Sequence, residues 1–204
     1  MPLVSAATLR EYLPEITGTD ADTELNNLIK RVESSIANYL GFIPADSSTS
    51  AVLDSSTYTV YLDGPMKFDG QVLQLPIKPL VSVTTVHSDP DLVYGSSTLI
   101  SDSDYHLDKE NSRVIINPTA PASYDTGFRN IKVVFVGGFD NTDPPNDLVH
   151  AICLLAAAQQ RSKQGQGYTN LNARNTTIGF VPRTAFPQEI KQLLAGYRNG
   201  HSIL

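Results

Sequence analysis

The side-chain period of this chain changes twice along its length. Apolar residues recur every three or four positions over Leu25, Leu28, Ile29, Val32, Ile36, Tyr39 and Leu40. Between residues 57 and 136 they alternate instead, and from Asn146 the helical spacing returns. Two helical ends that must meet to bury their stripes carry whatever lies between them as an insertion. The expected class is therefore α+β: a helical bundle from the N- and C-terminal segments with an inserted small antiparallel β-sandwich or barrel. The expected boundaries are N-terminal helices over 1–50, a β-rich insertion over 51–140 and C-terminal helices over 141–204, with a long loop at 165–185.

The helix ends carry their own signals. Asp20, Asp22 or Thr23 can cap the long N-terminal helix, and Gly41 stops it. A shorter helix from Ser5 to Leu13 precedes it, with Ser5 as N-cap, Leu9 and Leu13 on one face and Pro14 as the interruption. At the other end, Asp143-Pro-Pro-Asn-Asp147 combines prolines suited to a first helical turn with acidic residues suited to its positive dipole end. The helix that follows runs to about Lys163. Its apolar content from Leu148 to Ala158 is nearly continuous, so at least two of its faces are covered by protein. Gly165 and Gly167 end it. The Thr/Asn/Arg-rich stretch from Tyr168 to Thr184 has no periodicity and reads as a long exposed loop. A last short helix starts at Pro187 with Ile190, Leu193, Leu194 and Tyr197 on one side, and the residues around and after Gly200 are expected to fray.

Six strands are expected in the middle, at 57–62, 71–75, 80–86, 105–107, 113–116 and 131–136, separated by Asp/Gly/Pro/Ser turns. With 204 residues and 41% apolar side chains the chain can bury a substantial core. No apolar run reaches membrane-spanning length and the amino terminus lacks the basic and apolar regions of a signal peptide, so a soluble chain not exported by that route is expected. The single cysteine, Cys153, sits in an apolar helix and reads as a buried small hydrophobe. A formal net charge of -6 without a Lys/Arg cluster argues against phosphate-driven nucleic-acid binding.

Chemistry-bearing motifs are scarce. His87, His106, His150 and His201 have no metal-ligand pairing. There is no phosphate-binding glycine loop with its lysine and no Gly-x-Ser-x-Gly elbow, and Gly137-Gly138 closes a strand with no helix directly behind it. No catalytic residue, metal ligand or cofactor site is assigned. Asp102, Asp104 and Asp108 offer carboxylates to calcium but lack the central glycine and terminal glutamate of an EF-hand loop, and read as turn residues. Tyr58, Tyr61, Tyr94, Tyr105 and Tyr124 form either a ligand platform or cross-strand packing.

The order of segments resembles one family. Leu25-x-x-Leu28-Ile29-x-x-Val32-Glu33-x-x-Ile36-x-x-Tyr39-Leu40-Gly41 looks like the opening helix of the head-tail connector, or head-completion adaptor, proteins of tailed bacteriophages and gene transfer particles. Leu75-Pro76-x-x-Pro79-Leu80-x-Ser82-Val83 resembles the strand pair of its longer members. Tyr105-x-Leu107-Asp108 with Arg113-Val114-Ile115 resembles the hairpin that follows. Val133 to Phe139 with Pro145-x-Asp147-Leu148-x-x-Ala151 is similar to the family's strand, glycine corner and central helix, and Phe186-Pro187-x-Glu189-Ile190-Lys191-x-Leu193-Leu194-x-x-Tyr197-Arg198 to its closing helix.

The resemblance implies a structural virion protein without catalysis. It would form a ring, typically of twelve copies, beneath the portal, join capsid to stopper or tail terminator, and let DNA pass without sequence-specific binding. It would be assembled in the host cytoplasm, reside in the neck between head and tail, and have no membrane partner. The loop 165–185 and the tail after Tyr197 would reach the portal or the next ring, which marks Tyr168, Asn170, Arg174, Phe180, Arg183, Tyr197 and Arg198 as partner-binding candidates. Two rival readings stand beside it. One is a carbohydrate- or peptide-binding β module docked by the helices. The other is a hydrolase gathering Asp63, Asp69 and Asp108 in a cleft.

Overall fold

The computed structural model describes residues 2–64, 72–117, 124–162, 170–173, 176–179 and 186–198. Helices and antiparallel sheets are combined in one chain, an α+β architecture, with the chain divided into two compact units. One unit comprises Met1–Ile36 with Asn141–Arg198, and the other is built on Ala37–Asp140.

The first unit takes its shape from apolar stripes. Helix α1 (Ala6–Glu11) is capped by the Ser5 hydroxyl, which accepts the Thr8 N–H at 3.1 Å, and buries Leu9. Helix α2 (Asp22–Leu40) buries Leu25, Leu28, Ile29, Val32 and Ile36 along one face, as their spacing requires. Gly41, at φ +85°, closes it: the Gly41 N–H reaches the Asn38 carbonyl at 3.2 Å and the Phe42 N–H reaches Ala37 at 2.9 Å, the paired bonds of a left-handed helix terminus where a side chain would be strained. The buried Glu33 carboxylate accepts the backbone N–H groups of Leu3 at 2.7 Å and Val4 at 3.2 Å, tying the amino-terminal segment to α2.

Helix α3 (Asn146–Arg161) buries Leu148, Ala151, Ile152, Cys153, Leu155, Ala156 and Ala157, so its near-continuous apolar run is indeed covered on more than one side. Burial, then the carboxylates of Glu11 and Glu33, push the Cys153 thiol up to about 11. Polar links join α3 to the amino-terminal segment, among them Tyr12 hydroxyl with His150 Nδ1 at 2.8 Å, Arg161 Nε to Glu15 at 2.9 Å and Arg161 Nη2 to the Tyr12 carbonyl at 2.7 Å. Helix α4 (Gln188–Leu194) starts after Pro187, buries Ile190 and Leu194, and runs into a 3₁₀ turn at Ala195–Tyr197.

Among the described residues the second unit holds seven strands. β1 (Ser56–Gly64), β3 (Leu80–Ser88), β4 (Leu99–Ile100) and β7 (Gly127–Gly137) form a sheet in the order β1-β7-β3-β4. β2 (Val72–Gln74), β5 (Tyr105–Asp108) and β6 (Arg113–Ile116) form another in the order β2-β6-β5. Alternation assigns the faces of the larger sheet. Tyr58 and Val60 pair with Phe135 and Val133, Val86 pairs with Val133 on the other side, and all five are buried. Tyr61 pairs with Lys132, and Lys132 with His87, on the opposite face.

Three expectations change. The insertion does not close into a barrel: β1 pairs only with β7 and β4 only with β3, so the larger sheet has two free edges among the described residues. A seventh strand, β4, adds two residues that no alternation pattern of that length can reveal. The stretch 165–185, read as a loop without elements, contains an antiparallel pair, β8 (Asn170–Ala173) with β9 (Thr176–Gly179). Pairing of Ala173 with Thr176 leaves two residues for the connection, and so short a hairpin forms through local backbone bonds without an apolar stripe to announce it.

Inside the larger sheet one side chain is imperfectly matched. Tyr58 stacks on Phe135 with ring centroids 5.5 Å apart, and its hydroxyl is fully buried with no hydrogen-bond partner among the described residues. Burial, followed by the Asp54 charge, pushes that hydroxyl up to about 12. A buried hydroxyl without a partner costs roughly 1–3 kcal/mol, whereas the ring contact persists in phenylalanine. Tyr58→Phe is therefore expected to raise unfolding stability by about 1 kcal/mol in urea titrations; a loss of stability would mean that the hydroxyl is satisfied.

Candidate interaction surfaces

At one end of the larger sheet the β1–β7 ladder is interrupted. Leu62 pairs with Ile131 and Gly64 with Gly127, so Phe128, Arg129 and Asn130 stand opposite Asp63 alone. The bulge is braced from within by Asn130, which is 1% exposed. Its Oδ1 accepts the Gly64 N–H at 2.8 Å, and its Nδ2 donates to the Asp125 carbonyl at 2.6 Å. Asp63 Oδ1 accepts the Arg129 N–H at 2.7 Å from the outside. A Cβ on Gly64 would stand 1.7 Å from the Asp125 carbonyl oxygen, so this approach excludes every residue but glycine.

The loop after β3 is built around one carboxylate. Asp89, 3% exposed, accepts the N–H groups of Asp91 at 2.9 Å, Val93 at 3.1 Å and Tyr94 at 2.6 Å, while its own N–H donates to the Asn130 carbonyl at 2.8 Å. Burial by itself pushes the Asp89 carboxyl up, but the three donors together, with His87 nearby, outweigh it and hold the group below the ordinary carboxylate range. Leu92 and Tyr94 in this loop, and Arg129 in the bulge, all have positive φ, at 61°, 54° and 51°. Non-glycine residues hold such angles only where the surroundings fix them.

These two braced segments meet in a stack of rings and cations. Tyr61 and Tyr94 lie with centroids 5.3 Å apart at a 55° tilt. The Arg129 guanidinium sits 5.2 Å from the Tyr61 centroid and the Lys132 ammonium 5.8 Å from that of Tyr94. The Tyr94 hydroxyl donates to the Arg129 carbonyl. Directly adjacent in sequence, Val93 and Phe128 are 76% and 75% exposed.

The residues singled out from the sequence fall differently. Of the five tyrosines, only Tyr61 and Tyr94 come together on the surface. Tyr58 and Tyr124 are core, and buried Tyr105 donates to Asp102 at 2.7 Å. Asp108 binds the Asn111 side chain at 2.8 Å and its N–H at 3.1 Å, holding a turn, and Asp63 serves the bulge. Among the described residues no group of three His, Cys, Asp or Glu side chains is placed to hold a metal. Of the partner-binding candidates, Tyr197 is half-buried and donates to Asp147 at the start of α3, which with burial pushes its hydroxyl up to about 12. Arg198 is exposed. Asn170 begins β8, while Tyr168, Arg174, Phe180, Arg183 and the residues after Arg198 lie outside the described residues. Arg129, Lys132, Val93 and Phe128 were not legible as a site, because two chain segments far apart in sequence, β7 and the loop after β3, contribute them and no spacing connects them.

No protein-family model matches the chain, and no curated protein matches it. Solved structures do. A chain in the neck of an empty gene transfer agent particle, computed with C6 symmetry, is 19% identical with a TM-score of 0.61, over 98% of this chain and 90% of that one. A chain in the neck of the native particle, computed with C12 symmetry, is 18% identical with a TM-score of 0.58, over 96% and 88%. A chain of the virion of the native particle is 20% identical with a TM-score of 0.58, over 98% and 90%. At these identities the likeness is one of fold, and it extends over nearly the whole chain. It leads to the same kind of particle as the family resemblance in the order of segments. Among the described residues no helix is long and apolar enough to cross a membrane.

Two outcomes test the braced surface. Asn130→Ala strands the Gly64 N–H and the Asp125 carbonyl, and is expected to cost about 2 kcal/mol of stability in urea unfolding. The depressed Asp89 carboxyl contributes stability that is fully present above its unfolded value of about 4 and lost as pH falls through its lower folded value. Asp89→Asn should therefore flatten the acid limb of the stability curve below about pH 4; an unchanged acid limb would show that Asp89 does not control it.

Proposed function

We propose that this chain is a head-tail connector adaptor: a structural virion protein that forms a ring beneath the portal, joins the capsid to a stopper or tail terminator, and lets DNA pass. The observation that carries the reading is the near-full-length fold likeness to neck chains, one of them in a neck computed with C12 symmetry. Twelve copies, a bundle of the N- and C-terminal helices carrying a small sandwich of two open sheets, assembly in the host cytoplasm and residence in the neck are parts of the same proposal. The candidates Tyr168, Asn170, Arg174, Phe180, Arg183, Tyr197 and Arg198 are its proposed contacts with the portal or the next ring.

The distribution of charge supports the reading. The helical unit contains nine acidic and nine basic residues, whereas the β unit contains twelve acidic and six basic, so the whole surplus of -6 belongs to the β unit. A chain without excess cation gives a passing duplex no counter-charge to hold it. The binding-module alternative is favoured by one observation, the pair of exposed Tyr61 and half-buried Tyr94 with its two cations.

Light scattering of the purified chain over a range of concentrations, alone and with a purified portal ring, tests the proposal. The expected result is a species of about twelve times 22.2 kDa, formed in solution or only on the portal. A monomer at every concentration that ignores the portal overturns it, and retention of a glycan or peptide by that monomer would establish the alternative.

A further inference from the structure

Resting on the ring reading, we propose that the cation–aromatic end of the larger sheet is a contact between copies, in which Arg129 and Lys132 of one chain seat on the carboxylate-bearing surface of the next chain's β unit. Among the described residues neither cation has a carboxylate within ion-pair distance, although the unit that carries them has twice as many acidic as basic residues. The patch is thus the reverse of its own unit in charge. The complement it fits is a second copy of that unit, and the densest run of carboxylates there is Asp102, Asp104, Asp108 and Glu110, beside or within edge strand β5.

Charge also selects the geometry. A two-fold contact of the patch with itself would set Arg129 and Lys132 against the same cations, which is repulsive. Patch against acidic edge uses two different surfaces, the heterologous arrangement that closes into a ring when the rotation is right. The non-polar part of the surface fits an interface centre: Tyr61, Phe128, Val93 and Leu92 are exposed around the cations, and Tyr and Arg are the residue types that dominate binding energy in such centres.

The backbone supplies an independent argument. Three non-glycine residues with positive φ, Leu92, Tyr94 and Arg129, are held within one small area by the buried Asp89 and Asn130. Strain of this kind persists where the fold over-determines it, and the benefit is a surface already ordered before contact, which lowers the entropy lost on binding.

Two measurements on the full chain, alone and with portal, decide the matter. A photo-reactive residue in place of exposed Val93 should give covalent dimers whose cross-linked peptides map to 102–110 of the other copy; cross-links confined to the helical unit, or to another protein, overturn the inference. Arg129→Glu with Lys132→Glu should weaken assembly by about tenfold or more, and mixing with copies carrying Asp102→Lys and Glu110→Lys should restore it. Rings that form as well from the reversed chain as from the original overturn this inference and leave the ring reading standing. A chain that never assembles overturns both. Because Val93 is on the surface, its replacement reads the contact even if the double reversal fails to fold.

Discussion

The β unit depends on one strand. β7 pairs with β1 along one side and β3 along the other, and its inward residues Ile131, Val133 and Phe135 are fully buried. Neither flanking strand can be held without it, because among the described residues β1 has no other partner strand and β3 has only the two-residue β4 beyond. The chain leaves β7 through Gly137 and Gly138, where the Gly138 N–H reaches the Pro79 carbonyl at 3.0 Å and the Phe139 N–H that of Leu53 at 2.9 Å. It enters β7 through the bulge that Asn130 braces. Both ends of the strand are thus fixed by bonds to segments distant in sequence, which sets its register and, through the register, which side chains face outward.

Much of this was legible in the residues, for identifiable reasons. Long elements read correctly: α2 from its stripe, α3 from its continuous apolar run, β1 from its alternation, β3 from its β-branched run, and β7 over 131–136, its bulged start at Gly127 excepted. Gly41 and Ser5 marked helix ends through chemistry local to the turn. What escaped notice depends on partners far along the chain. Asn130 carries no signal of its own in the sequence, since its role appears only where Gly64 and Asp125 converge on it, and Asp89 is one aspartate among many until three N–H groups are found on it. The hairpin β8–β9 escaped because four-residue strands held by backbone bonds need no side-chain pattern. The tyrosines were correctly noticed as a class and could not be sorted, since only the sheet faces separate Tyr58 from Tyr61.

Charge is organised at the level of units. Within the helical unit, residues 1–36 carry an acidic surplus and residues 141–198 an equal basic one. Arg161 with Glu15 links these two segments, while Arg10 with Asp22 joins α1 to the start of α2. Such half-exposed pairs contribute little stability each, about 0–1 kcal/mol, so cohesion comes from the buried leucines and alanines and the pairs chiefly specify which segments meet. The β unit, by contrast, carries the whole acidic surplus of the chain. A surface with unspent charge is suited to partners rather than to folding, and there the cationic patch is an exception of opposite sign.

That exception also separates stability from assembly. Asp89 and Asn130 face inward and are bonded to backbone, so changing them disturbs the fold. Arg129 and Lys132 point outward onto exposed or half-buried rings, where a cation–π contact contributes only about 0.5–1 kcal/mol. Altering the outward pair therefore leaves the bulge, the Asp89 loop and β7 with all their bonds. An effect of such a change on assembly, with the unfolding curve unmoved, would belong to the surface itself and not to the scaffold that presents it.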